Sequence, residues 1–185
     1  MPVYRRTVRA WRRLAFKADG MTDILRQAGA IPFRHEPEGL RVLMITSRDT
    51  GRWVIPKGHV EKGFTAAEAA AQEAYEEAGI IGTTAKIPLG IFTYSKRLRS
   101  GAAKPTTVEV YALHVETLLK KWPERSQRRL EWMPVSKAAE LVHEQGLAQL
   151  LLRLEDIETA KPAQLSPELS SGPDPRQARL KSLAK

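Results

Sequence analysis

The sequence contains no cysteine among its 185 residues. Disulfide bonds, thiolate metal ligands and cysteine nucleophiles are therefore excluded, and the composition favours a reducing compartment, so we expect a cytoplasmic protein. Long hydrophobic runs are lacking too, since no apolar stretch approaches the roughly 20 residues that a membrane-spanning helix requires. We accordingly predict no membrane span, and we expect no secretory signal because residues 1–20 have no apolar core.

Acidic residues are in the minority, with 21 aspartates and glutamates against 30 lysines and arginines and a net charge of +9. The excess positive charge lies at the two ends of the chain. Residues 1–20 carry six basic residues and one acidic residue, residues 160–185 carry five and two, and the chain between them carries 19 and 18. Because this central region is nearly neutral, we do not expect specific binding of duplex nucleic acid.

The charge distribution and length predict three regions. Residues 1–20 form a basic extension, for which an amphipathic helix, an anionic-surface contact, an organelle-targeting segment and a flexible arm are all open interpretations. Residues 21–159 form one domain. Residues 160–185, rich in proline, serine and glycine, form a disordered tail. The sequence makes no prediction of the oligomeric state.

Short apolar runs separated by polar turns predict the strands of the central domain. We expect a hairpin of two strands, QAGAIPF and LRVLMIT. Further strands are expected at 53–56, at about 85–94, in TTVEVYALHVET and in EWMPV. Helices are expected at about 65–79, 136–145 and 147–157. Strands that flank a helix, followed by two closing helices, predict an α/β layered domain with a mixed β-sheet.

The segment Gly58–Ile80 combines a glycine-containing loop with an acidic helix. Thr65 and Glu68 stand in capping-box positions and Gly79 in the position of a C-terminal cap, which predicts where the helix begins and ends. Alanines recur at every fourth position and give the helix a ridge of methyl groups that can lie close to a sheet: Ala66, Ala70, Ala74 and Ala78.

Three carboxylates share one side of this helix. Glu73, Glu76 and Glu77 are spaced i, i+3 and i+4, so their charges neighbour and repel one another. A divalent cation turns such repulsion into binding, because Mg²⁺ takes carboxylate oxygens and keeps water and phosphate as its other ligands. Most charge runs of this kind are solvated acidic faces, but the glycine-containing loop in front of this one and the alanine ridge beside it favour a metal site.

The same segment resembles the Nudix box, Gx5Ex7REUxEExGU, in which U is a bulky aliphatic residue. Gly58 matches the first glycine, Glu73 the glutamate of the RE pair, Glu76 and Glu77 the EE pair, and Gly79–Ile80 the final GU. The resemblance to this family implies an α/β/α sandwich and an enzyme that hydrolyses pyrophosphate bonds.

Two positions depart from the box. Phe64 stands where the pattern has its first glutamate, and Gln72 stands where it has arginine. In the family these two residues support and orient, whereas the other glutamates hold metal. Since one acid and one base are lost together, we interpret the pair as a coupled replacement that leaves the metal site intact.

The family resemblance also implies the site residues. It implies Mg²⁺ as cofactor, with Mn²⁺ as the alternative ion, bound by Glu73, Glu76 and Glu77 with the Gly58 carbonyl as a further ligand. Glu73 and Glu77 are the implied catalytic residues. The position of the general base varies within the family; Glu73 is one candidate, and Glu109 on the TTVEVY strand is another.

Sequence outside the box points to the substrate. SRDTGRWVIPKG before the box and RLEWMPVSKAAEL after it resemble the diphosphoinositol polyphosphate phosphohydrolase branch of the family, which also cleaves diadenosine polyphosphates. Two basic loops add positive charge, and arginine forks match phosphate oxygens, although such charge also serves to solubilise a surface. The residues we expect to contact substrate are Ser47, Arg48, Lys57, Lys96, Arg97, Arg128 and Arg129.

Three functional hypotheses follow from these features. The favoured one is a Mg²⁺-dependent hydrolase of small, highly anionic molecules, namely inositol pyrophosphates or diadenosine polyphosphates. A second is removal of pyrophosphate from RNA 5′ ends, which the basic ends of the chain would assist, or cleavage of another nucleotide pyrophosphate. The third is a non-catalytic Nudix-fold binding module, which Phe64 and Gln72 favour and the retained EE pair disfavours.

Overall fold

A computed structural model of the protein describes residues 24–98 and 100–160. The predicted extension (1–20) and the predicted tail from residue 161 onward lie outside the described residues. Within them, eight strands form one sheet: β1 (Leu25–Glu36), β2 (Gly39–Thr46), β3 (Trp53–Val54), β4 (Lys57–His59), β5 (Ile80–Thr84), β6 (Gly90–Arg97), β7 (Ala103–Leu118) and β8 (Leu130–Pro134). The helices are α1 (Ala66–Ala78), α2 (Val135–Leu141), α3 (Gln145–Ala160) and a short 3₁₀ helix (Arg125–Gln127).

Strand β1 organises the sheet because it has neighbours along both edges. On one edge its first half pairs antiparallel with β4 and its second half with β2; on the other edge it runs parallel to β7, from Leu25 opposite Thr106 to Phe33 opposite His114. Strands β6 and β5 pair antiparallel with the two halves of β7, while β3 and β8 pair with β2. The sheet is therefore mixed, as the sequence predicts.

Helices cover both faces of the sheet, so the predicted α/β/α sandwich is confirmed. Alternate residues of β1 point to opposite faces, as expected for a strand. Ala28 and Ala30 lie in the apolar cluster beneath α1, whereas Ile31 and Phe33 lie in the cluster beneath α2 and α3. This arrangement places α1 against the part of β1 that pairs with β4.

Helix α1 has the caps and the packing face that its sequence predicts. The Thr65 hydroxyl accepts from the Glu68 N–H while the Glu68 carboxylate accepts from the Thr65 N–H, forming the capping box. Gly79 ends the helix at φ 67°, a left-handed conformation that glycine adopts without steric penalty. The alanine ridge faces the sheet. Because its side chains are only methyl groups, the helix backbone lies close to β1 and β4.

Several boundaries differ from the sequence predictions. The strand expected from about residue 85 begins at Gly90, since Pro88 lacks the N–H that a ladder requires, and β5 was not predicted as a strand. Helix α2 ends at Leu141 because Val142 is extended, with ψ 144°. Gly58 lies within a strand, β4, rather than in a loop. No helix found in residues 24–98 and 100–160 has both the length and the apolar character needed to cross a bilayer.

Candidate active site

Strand β4 and helix α1 bring Gly58 and Glu73 into contact. A Cβ atom on Gly58 would overlap the Glu73 carboxylate, so a glycine is the one residue that lets this carboxylate lie against the strand backbone. Gly58 is itself fixed by pairing with Ala28 of the central strand. Two box residues that are 15 positions apart in the sequence are thus in contact where the helix packs against β4.

Glu77, one helical turn further along, is held from two sides. Its Oε2 accepts from the backbone N–H of Lys57 at 3.0 Å, which is the residue next to Gly58. Its Oε1 accepts from Nη2 of Arg128, and both side chains of this ion pair are almost fully buried. A buried charge needs such partners, because burying it without them is strongly unfavourable. Glu77 therefore has a fixed position beside β4.

The electrostatics of the site reflect crowded negative charge. Burial, together with the charges of Glu77, Glu76 and Glu124, raises the pKa of Glu73 to about 7. Burial also raises the pKa of Glu77, although Arg128 and the Lys57 N–H oppose the rise. The positive charge of the described residues is thus too small to keep the pKa values of both carboxylates in their ordinary range. A bound cation would supply the missing positive charge.

The donor set fits a hard divalent cation. Glu73 and Glu77 offer carboxylate oxygens close to the Gly58 backbone, and Mg²⁺ typically uses only one or two carboxylates besides water and phosphate. Across residues 24–98 and 100–160, no three His, Asp or Glu side chains are grouped closely enough to hold an ion by themselves. The Glu76 carboxylate accepts from the amide of Gln72, and its charge acts on Glu73.

The two box departures have clear structural settings. Phe64 packs against the apolar cluster between α1 and the sheet. Gln72 donates to Glu76 one turn further along α1, where the box pattern has an arginine. Position 64 therefore carries no acid and position 72 carries a neutral amide, and the coupled replacement stays a prediction.

Lys57 and Lys96 lie on the sheet face opposite α1. The Lys57 Nζ is 5.4 Å from the centre of the Tyr94 ring, and burial lowers its pKa, with Glu77 opposing this effect. The Lys96 charge contributes to the lowered pKa of Lys57, so the two lysines are neighbours.

Sequence reasoning did not identify two groups here: the buried Gln27, and Glu144, whose charge acts on both Lys57 and Tyr94. Only the position of Gln27 opposite His59 in a β-ladder could have signalled the first.

Tyr94 joins this group by a hydrogen bond. Its hydroxyl donates to the Gln27 Oε1 at 2.9 Å, and burial raises its pKa to about 12, so the hydroxyl keeps its proton at neutral pH. The ring also packs against the core beneath α3. The sequence favours a core or edge aromatic at this position, and the packing agrees with that interpretation.

The remaining predicted residues occupy more varied positions. The Ser47 hydroxyl lies 2.6 Å from that of Thr50, and Arg48 donates to Glu124 and Gln127 at 3.2 Å. Arg129 is exposed above the Trp53 ring. The structure brings Glu109 and Arg97 into no described contact with the box: Glu109 accepts from the Tyr111 hydroxyl, and Arg97 is exposed near the tip of the β6–β7 hairpin.

Comparisons with known proteins agree with this geometry. A family model described as the NUDIX domain matches residues 24–154. Nudix hydrolase 12, mitochondrial, of Arabidopsis thaliana is 33% identical over 156 residues, covering 70% of this chain and 73% of the plant protein. Diphosphoinositol polyphosphate phosphohydrolase 2 of Rattus norvegicus is 35% identical over 133 residues, covering 70% of each chain.

Solved structures share the fold. An Ap4A hydrolase from C. elegans, in a binary complex, superposes with a TM-score of 0.57 at 21% identity, covering 74% of this chain and 98% of that one. At that level of identity the likeness concerns the arrangement of strands and helices alone.

Proposed function

Because the chain belongs to the Nudix family of pyrophosphate-cleaving hydrolases, we propose that it is a Mg²⁺-dependent enzyme acting on small polyphosphates, either inositol pyrophosphates or diadenosine polyphosphates. The observation that carries the proposal is the placement of Glu73 and Glu77 against the Lys57–Gly58 backbone. Two crowded carboxylates at a strand edge, with lysines nearby, suit a metal-bound polyanion.

In the proposed site, Glu73 and Glu77 hold the ion, with the Gly58 carbonyl as a further ligand. When bound, Mg²⁺ supplies neutralisation of phosphate charge and a lowered pKa for coordinated water. Mn²⁺ is the alternative ion, since it accepts the same oxygen ligands. Glu76 is the third proposed ligand; its Oε1 accepts from Gln72, and its Oε2 faces no hydrogen-bond donor in the part of the chain that the structure describes.

Glu73 is the proposed general base. In the metal-free protein the pKa of Glu73 is raised to about 7, and a bound cation would lower it, so that the carboxylate would be ionised and able to accept a proton at neutral pH. Glu109 is the weaker candidate because the Tyr111 hydroxyl occupies one of its oxygens. Because Glu73→Gln is expected to abolish turnover, Glu109→Gln separates the two candidates: its pH dependence of kcat should keep the acidic limb, and loss of that limb would make Glu109 the base.

The substrate class is supported by positive charge near the carboxylates. Lys57, whose backbone N–H donates to Glu77, and Lys96 are neighbours, and Arg48 and Arg129 add positive charge in the loops after β2 and before β8. Lysine and arginine side chains supply the charged hydrogen bonds that polyphosphates need. Relatives named diphosphoinositol polyphosphate phosphohydrolases add support for this class. Ser47 and Arg97 remain proposed contacts at the edge of this surface.

A substrate panel tests the proposal. The protein is incubated with Mg²⁺ and, separately, an inositol pyrophosphate, a diadenosine polyphosphate, ADP-ribose and 5′-triphosphate RNA, and released products are quantified. Glu77→Gln is the inactive variant, and Glu38→Gln in the exposed β1–β2 turn is the matched control. We expect turnover of the first two substrates by the wild type and by Glu38→Gln, and its loss in Glu77→Gln and in EDTA. Turnover of RNA alone would replace the substrate class, and turnover of no substrate would favour a binding module.

We also propose a cytoplasmic location. The lack of cysteine supports it, whereas the names of the plant relatives include the word mitochondrial. Fusing residues 1–20 to a fluorescent protein decides the question in cells: diffuse fluorescence supports the proposal, and organelle import would overturn it.

A further inference from the structure

The segment 119–129, which we call the strap, crosses the C-terminal end of α1 before it enters β8. The Leu119 N–H donates to the Gly79 carbonyl at 2.8 Å, and the Glu124 N–H donates to the Glu76 carbonyl at 3.1 Å. The Trp122 ring lies directly over Gly79. Since the last carbonyls of a helix lack partners within the helix, the strap supplies some of them and so is fixed to the box helix.

The far end of the strap is fixed to β2 through the buried Thr46. The Thr46 N–H donates to the Arg129 carbonyl at 3.0 Å, and its hydroxyl accepts from the Arg129 N–H at 2.9 Å. Its carbonyl accepts from Nη1 of Arg128 at 3.1 Å. One threonine thus uses all of its polar groups to set the position of the two arginines at the end of the strap.

Arg128 is the residue that this anchoring places. Each of its guanidinium nitrogens donates to a different acceptor: Nη2 to Glu77, Nε to Glu124 at 3.1 Å and Nη1 to the Thr46 carbonyl. Its side chain is only 6% exposed. An arginine held by acceptors on three segments has a fixed orientation, and its rigid fork passes that orientation on to its partners.

We propose that Arg128 is a positioning residue that holds the Glu77 carboxylate for its role in the active site, supplying from the strap the guanidinium that the box lacks at Gln72. Within α1, Gln72 donates to Glu76 rather than to Glu77, and the last turn of the helix carries no basic residue. The inference rests on the proposed function. It differs from the substrate contact that the sequence predicts for Arg128, and the two roles predict different kinetics.

Steady-state kinetics separate these roles. The variants are Arg128→Gln and Arg128→Lys, with Arg41→Gln as the matched control, because Arg41 is a half-buried arginine of β2 that pairs with Glu36 at 3.4 Å, away from the box. For a positioning residue we expect kcat to fall by about 10- to 100-fold, with KM within about threefold of wild type. A rise in KM at unchanged kcat would overturn the proposal and make Arg128 a substrate contact.

The conservative exchange adds a readout that loss of structure alone would not give. Arg128→Lys keeps a positive charge for Glu77 but loses the fork that also engages Glu124 and Thr46, so we expect its kcat to be several-fold higher than that of Arg128→Gln. Equal kcat in well-folded Arg128→Lys and Arg128→Gln counts against the proposal. If Arg128→Gln does not fold, Arg128→Lys is compared with wild type.

Measurements without substrate keep the two proposals distinguishable. Calorimetric titration with Mg²⁺ should show about tenfold weaker binding to Arg128→Gln than to wild type. In the metal-free protein, Arg128→Gln should lower Tm by several degrees, and adding Glu77→Gln should recover most of that loss. Additive Tm changes, or unchanged Mg²⁺ affinity, would overturn the inference.

A wild type that binds Mg²⁺ but hydrolyses no polyphosphate would refute the proposed function. The Tm coupling and the Mg²⁺ affinity would still decide the role of Arg128.

Discussion

Replacing Glu73 by glutamine should stabilise the metal-free protein at alkaline pH while it abolishes catalysis. Glu73 has a pKa raised from its ordinary value of 4.5 to about 7, by burial first and then by the charges of Glu77, Glu76 and Glu124. The folded state therefore binds the Glu73 proton more tightly than the unfolded state. The resulting stability is fully present below about pH 4.5 and is lost as the pH rises through about 7.

The magnitude follows from the size of this shift. One pKa unit corresponds to about 1.4 kcal/mol, so the rise to about 7 sets a ceiling of about 3 kcal/mol on the free energy of unfolding lost at pH 8. Glu73 is only partly buried, and screening by solvent reduces the expected loss to about 1–2 kcal/mol. For a domain of this size that corresponds to about 3–8 °C in Tm.

Thermal unfolding in EDTA measures the effect. At pH 8, Glu73→Gln should melt about 3–8 °C above wild type, and the difference should largely disappear at pH 5, where the wild-type carboxyl is protonated in the folded state. Glu38→Gln, in an exposed turn, should melt with wild type at both pH values. Saturating Mg²⁺ should raise the Tm of wild type more than that of Glu73→Gln, because the ion binds the carboxylate. Equal or lower stability of Glu73→Gln at pH 8 would refute the electrostatic reasoning.

Three further predictions test other parts of the site. Gly58→Ala places a Cβ atom where the Glu73 carboxylate lies, so we expect kcat to fall by about 100-fold at unchanged circular dichroism; wild-type kcat would show that this close approach is dispensable. Phe64→Glu combined with Gln72→Arg should retain more activity and a higher Tm than Phe64→Glu alone, because the new arginine pairs with a carboxylate placed in an apolar cluster; equal damage in both variants would contradict a coupled replacement. Deleting residues 1–20 should leave kcat and KM for a diadenosine polyphosphate within about twofold of the full chain, as expected for a surface extension, and a large loss would show that this region takes part in the site.

Local chemistry explains why the box helix could be predicted from sequence almost to the residue. Its boundaries depend on contacts within a few positions, namely the Thr65–Glu68 capping box and the left-handed Gly79. The best alternating segment, TTVEVYALHVET, likewise lies within β7, the strand that runs parallel to β1. In both cases the signal and its structural cause occupy the same short stretch of chain.

Contacts between distant segments explain what the sequence could not predict. Strand β5 has no alternation of its own and exists because it pairs with the end of β7, with an irregularity between Ile81 and Gly82. Arg128 meets Glu77 across 51 residues, and a basic loop offers no local sign that one of its arginines is buried. The same holds for Glu124, which the sequence did not single out although it lies between Arg48 and Arg128.

The two box departures illustrate how a family pattern and a structure complement each other. The pattern assigns Phe64 and Gln72 to positions that normally carry opposite charges, and from sequence their consequence for the orientation of Glu73 was open. In the structure, Glu77 receives a guanidinium from the strap and a backbone N–H from β4. A fixed Glu77 carboxylate beside β4, which the proposed metal site requires, is thus held by residues outside the box.

The most direct test of the central claim is to locate the metal ion. A crystal of the full-length protein soaked with Mn²⁺ and measured for anomalous scattering identifies the ion without reference to activity. We expect an anomalous peak within about 2.0–2.4 Å of carboxylate oxygens of both Glu73 and Glu77, the range for hard cations with oxygen ligands. A peak bound by other residues, or none at these two glutamates at saturating Mn²⁺, would contradict the assignment of this site.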